Sequence, residues 1–104
     1  MTPQEKFFEF NKKELEEAHK ITIRKNACYS PGDNPMSNYD LYGLPQIVGE
    51  LYNCFQKIYN HERSVTTKGV EPYPFEKLQN ACRDAANFCI MYEYYFKEHK
   101  KSRK

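Results

Sequence analysis

Carboxylates and amides carry most of the chemistry this chain offers. Glu14, Glu16 and Glu17 fall late in a first predicted helix, Glu50 in a second, and Glu76, Asn80, Asp84 and Asn87 in a third. Asp84 and Asn87 are three residues apart and so share a helix face, where they border an apolar stripe between Ala81 and Phe88. Polar groups beside packed apolar side chains need partners, because leaving one buried and unpaired costs about 1 to 3 kcal/mol. Hydrogen bonds between helices would satisfy them, and so would a polar pocket that takes a ligand. The residues by themselves leave both arrangements open.

Other chemistries have no motif here. The chain lacks a G-x-S-x-G nucleophile turn, a Walker lysine loop and a G-x-G-x-x-G dinucleotide loop, and its four glycines are too few for a backbone phosphate cradle. His19, His61 and His99 have no paired spacing and read as solvated residues near helix surfaces or ends. Cys28, Cys54, Cys82 and Cys89 form no C-x-x-C pair, and three of them sit on apolar stretches. That spacing predicts reduced, packed thiols. Zinc held by Cys28, Cys54, Cys82 and a histidine would need the fold to gather distant residues by accident.

The elements that must position the acids follow from patterning. Thr2-Pro3-Gln4-Glu5 has the form of a capping box with proline at the first helical position, so helix one starts there. Its apolar positions are Phe7, Phe8, Leu15, Ala18 and Ile21 or Thr22, and its end is expected near Asn26 or Ala27. Residues 28–43 are dense in turn formers and predict a long ordered loop, anchored by three tyrosines, Met36 and Leu41. Helix two is expected from Leu44-Pro45 to about His61, with Ile47, Leu51, Cys54 or Phe55, and Ile58 as its stripe. Residues 62–73 lack a helical period and predict a surface loop or short extended hairpin. Helix three begins at Pro74 and carries the strongest stripe: Leu78, Ala81, Cys82, Ala85, Phe88, Cys89, Tyr92 and Tyr95 or Phe96. The fold class is therefore all-α, a small bundle of three main helices in one domain over residues 1–104, open to completion by dimerisation.

Composition agrees with a folded but small protein. Hydrophobic residues make up 39% and aromatics 15% of 104 residues, too much packing material for a disordered chain. A chain this short builds one modest core, so an elaborate site would need a second copy or another protein. A net charge of +2 is too small to argue for nucleic acid. The basic tail, residues 97–104 with Lys97, Lys100, Lys101, Arg103 and Lys104, reads first as a solvated helix end that complements the helix dipole. No apolar stretch has the length of a signal or of a membrane span, which points to a cytoplasmic protein with no membrane partner.

Four short segments together resemble the nucleotide-modification-associated domain family, relatives of the MazG-like all-α nucleoside triphosphate pyrophosphohydrolases. They are Arg24-Lys25-Asn26-Ala27-Cys28-Tyr29, Gly32-Asp33-Asn34-Pro35-Met36-Ser37-Asn38-Tyr39, Gly43-Leu44-Pro45-Gln46-Ile47-Val48 and Asp84-Ala85-Ala86-Asn87-Phe88, within roughly residues 20 to 95. The resemblance implies a bundle that often dimerises and carboxylates from facing helices that hold Mg²⁺ against nucleotide phosphates. On this chain it implies Glu50, Glu76 and Asp84 as metal ligands, with Glu16 or Glu17 as substitutes, and Tyr29, Asn53 and Asn87 as nucleotide contacts.

Departures from the family pattern bear on activity. Cys28 stands before Tyr29 where the family usually has Asp, Asn53 replaces an Asp of helix two, and Asn80 interrupts the series Glu76, Asn80, Asp84. Mg²⁺ prefers hard, charged oxygen ligands, so a thiol and two amides in place of three carboxylates weaken such a site. Three readings follow: a MazG-like nucleotide-binding protein or pyrophosphohydrolase relative with a degenerate Mg²⁺ site; a catalytically inactive helical protein, of phage or mobile-element kind, that binds a host protein through its tyrosines; and, behind these, a nucleic-acid module using the basic tail. In each, residues 28–43 and the face of Asp84 and Asn87 are expected to converge on one polar pocket.

Overall fold

The computed structural model describes the backbone of residues 1–29 and 37–99 and the side chains of residues 1–25 and 44–97. Three helices make up nearly all of this: α1, Pro3–Tyr29; α2, Ser37–Lys68; and α3, Phe75–His99. No strand occurs among the described residues, and none of their helices is long and apolar enough to cross a membrane. The protein is a small all-α bundle.

α1 starts as its sequence dictates. The Glu5 N–H donates to Thr2 Oγ1 at 3.1 Å, while the Thr2 N–H and hydroxyl both donate to Glu5 Oε1, at 3.3 and 2.9 Å. The capping box is complete. α3 starts one residue after Pro74, whose carbonyl accepts the N–H groups of Lys77 and Leu78 at 3.1 and 3.3 Å.

α2 departs most from its sequence expectation, at both ends. It begins at Ser37 rather than at Leu44, so Pro45 lies inside it and the carbonyl four residues earlier loses its helical donor. The expected loop over residues 28–43 shrinks accordingly: Cys28 and Tyr29 belong to α1, 37–43 to α2, and only 30–36 fall outside the described backbone. At its other end α2 continues to Lys68, which replaces the loop or hairpin expected from residue 62. Near that end Thr67 Oγ1 donates to the Arg63 carbonyl at 2.7 Å, which gives its hydroxyl a partner within the helix. Gly69 then stops it, with φ of 67° and its N–H on the Val65 carbonyl at 3.0 Å, a left-handed cap open to glycine at little cost.

α2 and α3 form an antiparallel hairpin across the short connection 69–74. Leu44, Ile47 and Tyr95 are its buried core, flanked by half-buried Phe88, Met91 and Tyr92. Ile47 is wholly buried, which stabilises the pair by about 1.5 to 3 kcal/mol. Where the pattern left a choice, Cys54 is buried and Phe55 exposed, Tyr95 is buried and Phe96 exposed, and Ile21 is more buried than Thr22. Cys82 and Cys89, expected within the stripe of α3, are exposed instead; the buried or half-buried stripe is Leu78, Ala81, Ala85, Phe88, Tyr92 and Tyr95.

α1 packs on α3 and makes no backbone approach to α2 among the described residues. Only Ala18 and Ile21 of α1 are buried. Residues 3–13 are exposed throughout, an overhang of about 16 Å at 1.5 Å per residue. Phe7 and Phe8, expected on the packed face, therefore stand in solvent with Phe10. The molecule is correspondingly open: its radius of gyration is 16.4 Å, against about 13 Å for a compact domain of this length.

Candidate functional site

The face of α3 that bears Asp84 and Asn87 lies against α1. Asn87 Nδ2 donates to the Ala18 carbonyl at 2.9 Å. Asp84 Oδ1 accepts from Lys25 Nζ at 3.1 Å, with both side chains partly exposed. Next to them, Arg83 meets Glu14 through two hydrogen bonds, Nε to Oε2 at 2.7 Å and Nη2 to Oε1 at 2.9 Å. Such a fork fixes geometry as well as charge. The hydrogen bonds from Arg83, and then its positive charge, hold the Glu14 carboxyl below the usual carboxylate range; Glu14 in turn holds the Arg83 guanidinium more firmly protonated. Of the two arrangements the sequence left open, helix-to-helix hydrogen bonding is present at both Asp84 and Asn87.

The other candidate ligands are spread along the helices. Glu50 is half-buried on α2 and accepts from Gln46 Nε2 at 3.1 Å, one turn earlier. Asn53 is exposed on α2. Glu76 is exposed in the first turn of α3, where a carboxylate complements the positive end of the helix dipole. Glu17 pairs with Lys20 at 3.3 Å on the surface, and Glu16 is exposed. The side chains of Cys28 and Tyr29 lie outside the described residues, as does most of the loop expected to share a pocket with Asp84 and Asn87. Among the described residues no three His, Cys, Asp or Glu side chains form a group that could hold a metal ion.

One junction does draw candidate residues from all three helices. The Cys54 thiol of α2 is buried, and its acidity responds to Asp84 of α3, Glu50 and Lys57 of α2, and Lys25 of α1. Burial is the main cause of its weakened acidity, the negative charge of Asp84 the next. Cys54 is thus a protonated, inert thiol at neutral pH.

Two features escaped sequence reasoning. The fork between Glu14 and Arg83 joins residues 69 apart, with no local signal to pair them. His61, expected to be solvated, is only 5% exposed; its ring stacks on Tyr73 with centroids 6.2 Å apart, and its Nδ1 has no hydrogen-bond partner. Its cover includes Tyr73, in the connection between α2 and α3, a contact that no local spacing announces.

Fold and site thus define a class, a three-helix all-α protein in which α3 is the shared platform. No family model matches the chain, and no curated protein or solved structure matches it either.

Proposed function

We propose that this chain works as a helical protein-binding module, and that the first half of α1 is its recognition element. The observation that carries the reading is the overhang: Phe7, Phe8 and Phe10 are each more than half exposed on a helix segment that no described residue covers. Aromatic side chains supply large contact area with few rotatable bonds, which suits the centre of an interface. Asn87 and Asp84, two of the polar residues that a nucleotide site would use, instead fasten α1 to α3 and thereby aim the overhang. A cytoplasmic host protein is the partner class that this reading takes.

The test places a photo-crosslinking residue at Phe8 in the cell that makes the protein, identifies the captured protein and reconstitutes the pair from purified components. Binding that is lost on exchanging Phe7, Phe8 and Phe10 for serine, with helicity retained, is the expected result. Unchanged binding by that variant overturns the reading.

A nucleotide-binding role of the MazG-like kind is the second reading, favoured by the junction at Cys54. There Glu50 and Asp84, two of the three proposed Mg²⁺ ligands, act on one thiol from facing helices. It predicts pyrophosphate release, or at least a thermal shift, with a nucleoside triphosphate and Mg²⁺ or Mn²⁺. Either response, abolished by Glu50→Gln, would replace the first reading; neither response across a panel of triphosphates would remove the second.

A further inference from the structure

α1 runs across α3, not along it. From Glu14 through Ala18 to Lys25 it rises about 16 Å, while the residues it meets, Arg83, Asn87 and Asp84, span only about 6 Å of α3. Taken in that order, Asn87 and Asp84 lie about 40 and 100° round α3 from Arg83, so α1 passes round that helix as it goes. Its C-terminal part arrives on the side of α2, where Lys25 and Asp84 both act on the Cys54 thiol. The overhang at the other end therefore leaves α3 on the side away from α2.

No described residue covers that side of α3. Ala86 and Ile90 lie about 160 and 200° round the helix from Phe88, which lines the core. Ile90 is 58% exposed, Tyr94 near it 55%, and Cys82 and Cys89 are exposed on the same side. Between Gln79 and Ile90 this outer face has one charge, Arg83, and the fork to Glu14 engages it.

The overhang forms a second wall. Phe7, Phe10, Glu14, Ala18 and Ile21 follow a three-four-four-three spacing and so make one stripe along α1. α3 takes up this stripe at Glu14 and Ala18, with Ile21 buried beyond them, and Phe7 and Phe10 continue it past α3 into open space. We infer that Phe7 and Phe10, with Ala86 and Ile90 on the outer face of α3, are two walls of one seat, and that the seat takes an amphipathic helix of the partner protein, flanked by acids and laid along α3 opposite α2. The inference rests on the reading of α1 as the recognition element and adds the place and the chemistry of what it recognises.

Three features select this occupant. Shape is the first: a corner between crossed helices accepts a rod on both walls, whereas a flat surface reaches only one. Packed helix axes stand about 8 to 10 Å apart, and Phe10 and Phe7 lie about 12 and 16 Å along α1 from Ala18. A helix beside α3 thus lies under Phe10, with Phe7 at its outer shoulder. Continuity is the second, since the stripe of α1 that packs on α3 meets the added helix without changing face. Charge is the third. In the overhang Lys6 and Lys13 lie within about 90° of the midpoint of Phe7 and Phe10, and Glu5 and Glu9 about 130° or more from it. The rim of the seat is basic there, and carboxylates on the partner helix complement it.

The test puts a photo-crosslinking residue at Phe10 in one full-length protein and at Ile90 in another, in the cell that makes the protein, and maps the crosslinked peptides. Both positions should capture one protein, within a single segment of helix length. With that protein purified, Ile90→Glu, at a site exposed in the free chain, should weaken binding tenfold or more without loss of helicity. Lys6→Glu with Lys13→Glu should do the same at low salt and less at high salt. Alkylation of Cys82 and Cys89 should slow tenfold or more in the complex. The inference is overturned if Ile90 captures nothing, a different protein or a distant segment, or if Ile90→Glu or the double lysine variant binds as tightly as the parent. Capture at Phe10 in any of those cases leaves α1 as the recognition element; failure at both positions removes that reading as well.

Discussion

Replacing Asn87 with alanine distinguishes a fastener from a ligand contact, because the two roles predict different outcomes for the protein alone. Asn87 Nδ2 donates to the Ala18 carbonyl at 2.9 Å in a half-buried setting. That carbonyl lies inside α1 and keeps its helical partner, so the variant leaves no acceptor stranded. The cost is then the net worth of one hydrogen bond, about 1 kcal/mol, without a desolvation penalty. For a domain of this size that lowers the melting temperature by about 4 to 8 °C. Because α1 packs on α3 and, among the described residues, not on α2, the loss should also appear as faster hydrogen exchange at amides of residues 14–25, with the core of α2 and α3 less affected. Asp84→Asn should destabilise slightly or not at all, by under about 1 kcal/mol, since its pair with Lys25 is partly solvated. A metal or nucleotide site predicts the reverse for the free protein: removing a carboxylate or amide gathered for a ligand relieves strain or repulsion, and the defect shows only when ligand is added. An Asn87→Ala protein as stable as the parent, with unchanged exchange in α1, would refute the fastening argument.

Acid should loosen α1 through Glu14, whose native pKa is depressed. A depressed carboxylate stabilises the native state above its unfolded value of about 4.3 and loses that contribution as pH falls through the lower native value; Glu14→Gln should flatten the stability profile in that window, measured by denaturation from neutral pH downward. In a Cys28→Ser background, a thiol reagent at neutral pH should modify exposed Cys82 and Cys89 quickly and Cys54 only on unfolding, and rapid labelling of Cys54 would contradict its burial. Gly69→Ala should cost about 1 to 2 kcal/mol in chemical denaturation, because alanine resists the φ of 67° that ends α2.

What could be read before the structure was whatever depends on neighbours in the chain. Thr2 and Glu5 cap α1 as their spacing requires, and Pro74 marks the start of α3 to within a residue. The last turns of α2 were not legible, since Ser64, Val65, Thr66 and Thr67 favour helix weakly and the burial around His61 is not a local signal. At the candidate site, the prominence of Asp84 and Asn87 could be read, but their partners could not. Lys25 reaches Asp84 and the Ala18 carbonyl meets Asn87 from another helix, 59 and 69 residues away in sequence. Nor could the pattern choose between Cys54 and Phe55 on α2: both fit, and only the placement of α3 decides which is inside.

The distance between α1 and its platform matters during synthesis. α1 leaves the ribosome before α3, and the residues that Glu14 and Ala18 meet, Arg83 and Asn87, are each 69 residues further on. At ordinary elongation rates that is a delay of about 3 to 14 seconds. Throughout it Ala18 and Ile21 are as uncovered as Phe7, Phe8 and Phe10, so the nascent chain presents one longer apolar helix than the finished protein does. A holding chaperone, or a second nascent copy on the same message, would meet that helix at its most adhesive.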